Sequence, residues 1–522
     1  MKCSGEDAWP MNMISNLWRR SPPICAALAI ALFVALRMAI VIASPLEIGP
    51  DEAQYWRWAQ TLDFGYYSKP PLVAWVIWLT TSLFGDASWA IRLASPLLHG
   101  IGAFFLFLLG KRMFDARIGA WSAAIYLVMP GIWLSSTIIS TDAVLLPTYA
   151  IAVCLLWRFR DSATLLNACL AGGAIGLAML GKYAALYLYP GAVLAAFIDR
   201  DMRKAMLSPA GAMVFVASLV VLGPNLAWNA ANNFATVSHT ADNANLAAAD
   251  FNPLHIITYV QDQAAVFGPI TLILLLAGLG FLAGRKDKPT TTRELWLICF
   301  IVPALVVIMV QEIVSRAHAN WAAAAYPAAA VLLASWIDRA FGKLKVRPVL
   351  ITGVAINTLI GAVFAIVWVS PWVADATGAS AGMKGIRGWG ETTRQLIARA
   401  DELHATAILV DDRETWHALD YHGRNLAMPP IRAWPAGPTP HSHAEEAGHI
   451  RPGDDVRMLI ASTNEAMRPM IRADFAKIEE LGYLEIPLTA KRNRRFKLYL
   501  ASTYHQVPRT PEFLATHMVI ED

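Results

Sequence analysis

The chain has 522 residues, 56% of them hydrophobic and 16% charged, with a formal net charge of +4. That balance excludes an ordinary soluble enzyme and indicates a multi-spanning membrane protein. Nothing in the charge pattern calls for a nucleic-acid partner, and the placement of the charges says more than their sum.

The first apolar run, from about Pro23 to Ser44, is long enough to span a bilayer. No small-residue cleavage pattern follows a short core, so it reads as a signal anchor. Further spans are predicted near residues 88–110, 118–138, 143–157, 164–181, 183–198, 208–227, 263–284, 295–314, 319–337 and 348–370, about eleven in all. Basic residues set the orientation. Arg19 and Arg20 precede the first span. Later clusters are Lys111, Arg112 and Arg117; Arg158 and Arg160; and Arg200, Arg203 and Lys204. Two more follow, Arg285, Lys286, Lys288 and Arg293, then Arg339, Lys343, Lys345 and Arg347. All fall on one side, expected to be cytoplasmic with the N-terminus. The apolar segment 71–85 is short, and counting it as a span would put the later clusters outside. It is therefore read as a helix lying along the outer surface.

The stretch Ile48–Leu72, in the first external loop, is too polar and aromatic to span. Asp51 and Glu52 follow Pro50, where a helix is expected to begin and carboxylates meet the positive end of its dipole. Lys69 precedes Pro70 and Pro71, which hold the chain extended. The pair and the lysine suit a site; the plainer reading is a helix cap and a lysine reaching toward headgroups. Ser140-Thr141-Asp142-Ala143 offers a second acid, or again a cap for a helix starting at Ala143. Lys182, in Gly181-Lys182-Tyr183, stands between two spans, where a cation is costly without an anion or a route to the surface. The loop from Trp228 to Asp262 carries Asn229, Asn232, Asn233, His239, Asp242, Asn243, Asn245 and Asp250. Such a loop could cover a site and supply hydrogen bonds to a polyol, or simply connect two spans. Arg316 is the one basic residue of the Ser315–Trp321 loop and suits a phosphate or carboxylate. His318 is read as a hydrogen-bonding group rather than a metal ligand.

After residue 371 the composition becomes charged, with no run long enough to span. Ala407–Val410, Val456–Ala461 and Phe496–Ala501 read as buried strands, and Thr392–His404 and Ala473–Leu481 as amphipathic helices. A small α/β domain is expected. Ala433–His449 reads as a Pro/His loop in which His441 and His443 are metal-capable, and Lys491–Arg495 as a solvated turn. Gly172, Gly173 and Gly176 suggest close helix packing. Of the five cysteines, Cys25, Cys154, Cys169 and Cys299 fall in spans and Cys3 in the inner tail. Neither a disulfide framework nor metal-ligand spacing is implied.

Gathered on one face, Asp51, Glu52, Lys69, Asp142, Lys182 and Arg316 suit displacement of a phosphate leaving group. A carboxylate would take the incoming proton and cations would hold the departing charge. With Gly65-Tyr66-Tyr67-Ser68-Lys69-Pro70-Pro71 after the acidic pair, the chain resembles the GT-C membrane glycosyltransferases. These include the protein O-mannosyltransferases, the aminoarabinose transferases of lipid A and the galacturonosyltransferases of lipopolysaccharide. The resemblance extends through Thr141-Asp142-Ala143, Gly181-Lys182-Tyr183, Trp228–His239 and His318-Ala319-Asn320-Trp321, roughly residues 20–370. It implies an α-helical polytopic membrane protein with a GT-C domain over 1–370, and the last 150 or so residues add nothing to it. The interfacial helices in the first external loop and the external α/β domain over 371–522 rest on the residue pattern and charge placement above.

The implied activity is hexosyl or pentosyl transfer from a polyprenyl-phosphate-linked sugar to a lipid or glycan acceptor, outside a bacterial inner membrane. Asp51, Glu52 and Asp142 are the implied catalytic acids. Tyr55, Tyr66, Tyr67, Lys69, Lys182, Tyr183, His239, Arg316, His318 and Asn320 are the implied substrate-binding residues. The aminoarabinose transferases carry an acidic residue, associated with a bound metal, where this chain has Ser68. That argues against a metal and leaves the acceptor open; no cofactor is expected. Competing readings are a protein O-mannosyltransferase, a flippase of a lipid-linked sugar, and a membrane-anchored glycan-binding protein. A flippase calls for ionisable residues near mid-membrane, but here the span interiors are almost uncharged, Arg37 being the main exception, and the charges cluster at one face.

Overall fold

The structure, a computed structural model, describes residues 21–244, 251–284, 291–437, 440–451, 457–489 and 492–517. Cys3, Arg19, Arg20, Asn245, Asp250, Arg285, Lys286, Lys288 and Lys491 lie outside the described residues. The chain forms two units. One comprises Met1–Ala43, Phe64–Val76 and Arg92–Ala365; the other comprises Ser44–Asp63, Ile77–Ile91 and Ile366–Asp522.

Among the described residues, six helices are long and apolar enough to cross a membrane: Pro22–Ala43, Ser88–Met113, Thr141–Asp161, Pro209–Ala231, Thr292–Val314 and Val346–Val369. Shorter apolar helices cover Leu72–Phe84, Ala116–Val128, Leu165–Gly181 and Tyr183–Ile198. The segment expected as one span at 263–284 is instead the pair His255–Phe267 and Pro269–Gly284, bent by 115°. Gly268 makes the bend at φ +97°, a conformation other residues avoid, and Pro269 cannot continue the preceding helix's bonding. The freed Phe267 carbonyl accepts from Asn357 Nδ2 at 3.2 Å, so the break leaves no orphaned acceptor there. Helix contact without large side chains is visible at Gly172 and Gly176. A Cβ on them would stand 2.1 Å from the Val214 carbonyl oxygen and 2.7 Å from that of Ser218. Gly173, grouped with them in the sequence, meets nothing within 4 Å.

The first unit also holds a small hairpin, β1 (Ala340–Phe341) with β2 (Leu344–Lys345). The second unit is built on a five-stranded sheet. Its strands are β3 (Ala407–Val410), β4 (Ile431–Ala433), β5 (Met458–Ser462), β6 (Phe475–Thr489) and β7 (Arg492–Tyr504), in the order β4-β3-β5-β7-β6. β3 runs parallel to β4 and β5, while β7 is antiparallel to β5 and β6. Both faces are covered. One carries Leu396, Trp416 and Leu419 over Ile408, Val410 and Leu459; the other carries Trp434, Ile450 and Ile471 over Leu409 and Ile460.

Expected strands at 407–410 and 496–501 therefore fall in β3 and β7. Of that at 456–461, Met458–Ala461 fall in β5 and Val456 lies outside the described residues; the expected helix at 392–404 is Trp389–Glu402. Ala473–Leu481 is not a helix. Phe475, Ile478 and Leu481 have helical spacing, but the segment pairs with β7 from Phe475↔Tyr504 onward. A register shift between Glu480 and Gly482, with Gly482 at φ +91°, absorbs the misfit. Part of the expected 433–449 loop is a helix, His443–Gly448, because Ser442 Oγ accepts from Glu445 N at 3.3 Å. Arg492–Arg495 already belong to β7, and Arg494 lies 3.4 Å over the Trp389 ring rather than in solvent.

At the start of β6, Asp474 is fully buried. Its carboxylate accepts from Trp434 Nε1 at 2.8 Å, Val507 N at 3.0 Å, and Arg509 Nη1 and Nη2 at 2.9 and 2.6 Å. That buried pair ties the last segment to the sheet. Asp474→Ala should destabilise the unit by about 3–5 kcal/mol, since it leaves a buried guanidinium without its counter-charge. The check is the apparent melting temperature of the purified chain in detergent; an unchanged value would contradict the assignment.

Candidate active site

Three separated sequence motifs meet in the first unit. Ser140 caps the helix Thr141–Asp161, its Oγ accepting from Ala143 N at 3.4 Å. Asp142 is thereby released from the capping role its position allowed. Its Oδ1 accepts from Lys182 Nζ at 2.8 Å and its Oδ2 from Asn320 Nδ2. Lys182 sits where the helix Leu165–Gly181 ends, extended at φ −165°, before the short 3-10 helix Tyr183–Tyr187. Both charges are mostly shielded, with 17% of the lysine side chain and 10% of the aspartate exposed. At that burial neither charge is stable without the other.

The pair stands between two cavities. One, of about 410 Å³, is lined by Asp142, Ser140, His318, Asn320 and Ser135 among apolar residues. The other, of about 440 Å³, is lined by Lys182, Lys69, Ser68, Tyr183, Gln311 and Trp321. Lys69 and Lys182 thus share one chamber. His318 packs edge-on against Trp321 with centroids 5.2 Å apart.

The Gly65–Pro71 turn is held by groups the sequence reading left unassigned. Asn225 Nδ2 donates to the Phe64 carbonyl at 2.7 Å, and Thr236 Oγ1 to that of Tyr66 at 2.6 Å. Gly65 lies under Trp228, where a Cβ would come within 2.3 Å of the indole ring. The Tyr183 hydroxyl donates to Asn225 Oδ1 at 2.8 Å and accepts from Asn229 Nδ2 at 3.1 Å. Asn225 and Asn229 both lie on the helix Pro209–Ala231, and the stretch 228–262 expected as a loop is largely helical, with Ala235–Asn243 and His255–Phe267 following. Tyr67 and His239 meet edge-to-face at 5.9 Å. Arg316 is exposed and lines neither cavity.

The acidic pair belongs to the second unit, on the helix Pro50–Ala59. Its two carboxylates have different employment. Glu52 is buried, and its Oε2 accepts from Gly49 N at 3.1 Å in a capping box. Asp51 is exposed, and its Oδ1 accepts from Arg413 Nη1 at 3.0 Å. The same nitrogen donates to Gln54 Oε1 at 2.8 Å. Desolvation by the surrounding protein works against the charge of Arg413, and the nearby groups Asp51, Glu414 and Tyr55, Asp51 first among them, together hold the guanidinium above its ordinary pKa. Tyr55 is buried with its ring 5.4 Å from that of Trp58. Arg413 and Gln54 carry no signal in the sequence that ties them to the acidic pair; only the fold brings them beside Asp51. His443 stacks on His417 at 5.2 Å, and burial pushes its pKa down to about 4. Among the described residues no three His, Cys, Asp or Glu side chains gather to hold a metal ion.

A family model described as dolichyl-phosphate-mannose-protein mannosyltransferase matches residues 68–228. The lipid A galacturonosyltransferase RgtD of Rhizobium johnstonii is 34% identical over 426 residues, covering 81% of this chain and 88% of that protein. The undecaprenyl phosphate-alpha-4-amino-4-deoxy-L-arabinose arabinosyl transferase 1 of Pseudomonas fluorescens is 28% identical over 191 residues, 33% of this chain and 35% of its own. Among solved structures, ArnT from Cupriavidus metallidurans bound to undecaprenyl phosphate matches with a TM-score of 0.61 at 15% identity. That match covers 91% of this chain and 97% of that one, a likeness of fold.

Lys182→Met should destabilise the first unit by about 3 kcal/mol, because Asp142 is left as an uncompensated buried charge. The double variant with Asp142→Asn should recover part of that loss. Melting of the three proteins in detergent checks both; strict additivity would contradict the pairing.

Proposed function

The chain belongs to the GT-C membrane glycosyltransferases, and on that premise we propose that it transfers a sugar from a polyprenyl-phosphate donor to lipid A. The observation that carries the reading is the chamber shared by Lys69 and Lys182, the latter paired with the Asp142 carboxylate of the neighbouring cavity. Its other lining residues include Leu186, Val307, Ile308 and Trp321, so two cations face an apolar wall. A phosphate on a long hydrocarbon has that character. The galacturonosyltransferase at 34% identity makes galacturonic acid the first sugar to test.

In the proposed reaction an acceptor hydroxyl oxygen attacks the anomeric carbon while the bond from that carbon to the phosphate oxygen breaks. The bonding pair leaves with the polyprenyl phosphate, whose charge Lys69 and Lys182 stabilise. The hydroxyl proton passes to Asp51, the general base assigned by its motif. Asp142 keeps Lys182 in place before the donor arrives, and Asn320 orients that carboxylate. Attack opposite the departing phosphate inverts the anomeric centre. The basic clusters, from Lys111 and Arg112 to Arg339 and Arg347, support a cytoplasmic N-terminus and a periplasmic C-terminal domain in the bacterial inner membrane.

The test is transfer of labelled galacturonic acid from its undecaprenyl phosphate to lipid A in proteoliposomes. Wild type should label the lipid A fraction, and Asp51→Asn should lower the rate by at least ~10²-fold. Donor crossing the bilayer without covalent transfer, indifferent to Asp51, would overturn the reading in favour of a flippase.

A further inference from the structure

The last third of the chain sends one side chain to the acidic pair. β3 ends at Val410, and Asp411 is anchored to the end of β5 by Ser462 Oγ at 2.6 Å, Thr463 N at 2.9 Å and Asn464 N at 3.2 Å. Asp412 Oδ1 then accepts from Thr415 N at 2.7 Å and caps the helix Arg413–Gly423. β3 continues toward β4 on one side, and β5 toward β6 on the other. Arg413 therefore opens a helix at the carboxyl ends of two parallel strands whose connections diverge. Open α/β sheets present functional side chains at such a point.

Neither local stability nor docking accounts for the arginine there. A cation in the first turn of a helix opposes the helix dipole. Its pair with Asp51 is solvent-exposed, 42% on one side and 64% on the other, and such pairs add little to stability. The helix is already fixed to Pro50–Ala59 by other contacts. Trp56 meets Tyr421 edge-on at 5.1 Å, Arg57 pairs with Asp420 at 3.7 Å, and a His422 ring nitrogen lies 3.2 Å from the Ile48 carbonyl oxygen. The Tyr421 hydroxyl donates to the Asp86 carbonyl, and Trp56 Nε1 to the Asp86 side chain.

We infer that Arg413 is a positioning residue for Asp51. The inference rests on the reading of Asp51 as the general base. One guanidinium nitrogen bridges Asp51 Oδ1 and Gln54 Oε1, and Gln54 is only 2% exposed, so its amide is a fixed reference. Held through Oδ1, the Asp51 carboxylate offers Oδ2 to the incoming hydroxyl proton. Glu52 is committed to its helix cap and does not substitute. The C-terminal segment therefore completes the geometry of a carboxylate that lies 362 residues earlier in the chain.

The full chain in proteoliposomes, assayed for transfer with the donor concentration varied, tests this. Arg413→Met should lower kcat on the order of 10²-fold with the donor KM and melting temperature unchanged. Arg413→Lys should restore part of the rate, and methylguanidinium should restore Arg413→Ala, which a folding role would not allow. Full kcat in Arg413→Met beside an inactive Asp51→Asn would overturn the inference alone, as would a rate loss that neither lysine nor methylguanidinium relieves. Full activity in Asp51→Asn would remove the reading of Asp51, and this inference with it.

Discussion

A carboxylate and an ammonium set among apolar helices stabilise a fold only as a pair, and the first unit depends on that constraint at Asp142 and Lys182. Each group alone would carry a desolvation penalty larger than a typical packing contact returns. Together, at 2.8 Å and with Asn320 on the second oxygen, they join three chain segments that are far apart in sequence. The helix Thr141–Asp161, the break at Lys182 and the turn at Asn320 are fixed relative to one another by charge. Asp142 lines one cavity and Lys182 the other. On the proposed function, a phosphate entering the lysine-lined chamber would compete with Asp142 for Lys182.

The second unit solves a different problem, holding short polar elements in place without a membrane helix. Glu47 shows how. Its carboxylate accepts from Trp389 N at 2.5 Å and Gly390 N at 3.1 Å, where the helix Trp389–Glu402 offers unpaired donors. Glu52 does the same for its own helix through Gly49. Two nearby acids are thus committed to backbone donors, while Asp51 projects to the surface toward Arg413. The roles of the three carboxylates follow from which backbone donors lie within reach.

Much of this was legible in the chain, and the failures have physical causes. The membrane class follows from composition, and the motif order placed Lys69, Asp142, Lys182 and Asn320 on one face because spans alternate sides. The strands around Ala407–Val410 and Phe496–Ala501 were visible as short apolar runs. Ala473–Leu481 was misread because apolar residues three apart suit a helix, and only the partner β7 decides otherwise. The bend at Gly268 hides inside a uniformly apolar stretch, where composition carries no sign of direction. Which acid would pair and which would cap was not readable at Asp51 and Glu52, since both stand in the first turn. Arg413 left no local signal: it sits in a charged run, and its partner lies in another part of the chain.

The central claim is that Lys69 and Lys182 receive the phosphate of a prenyl-linked sugar. Native mass spectrometry of the detergent-solubilised chain with undecaprenyl phosphate tests it most directly. Binding should weaken at least tenfold in Lys69→Ala and in Lys182→Ala, and stay at the wild-type level in Arg316→Ala, whose side chain lines neither cavity. Equal binding by wild type and both lysine variants would contradict the account.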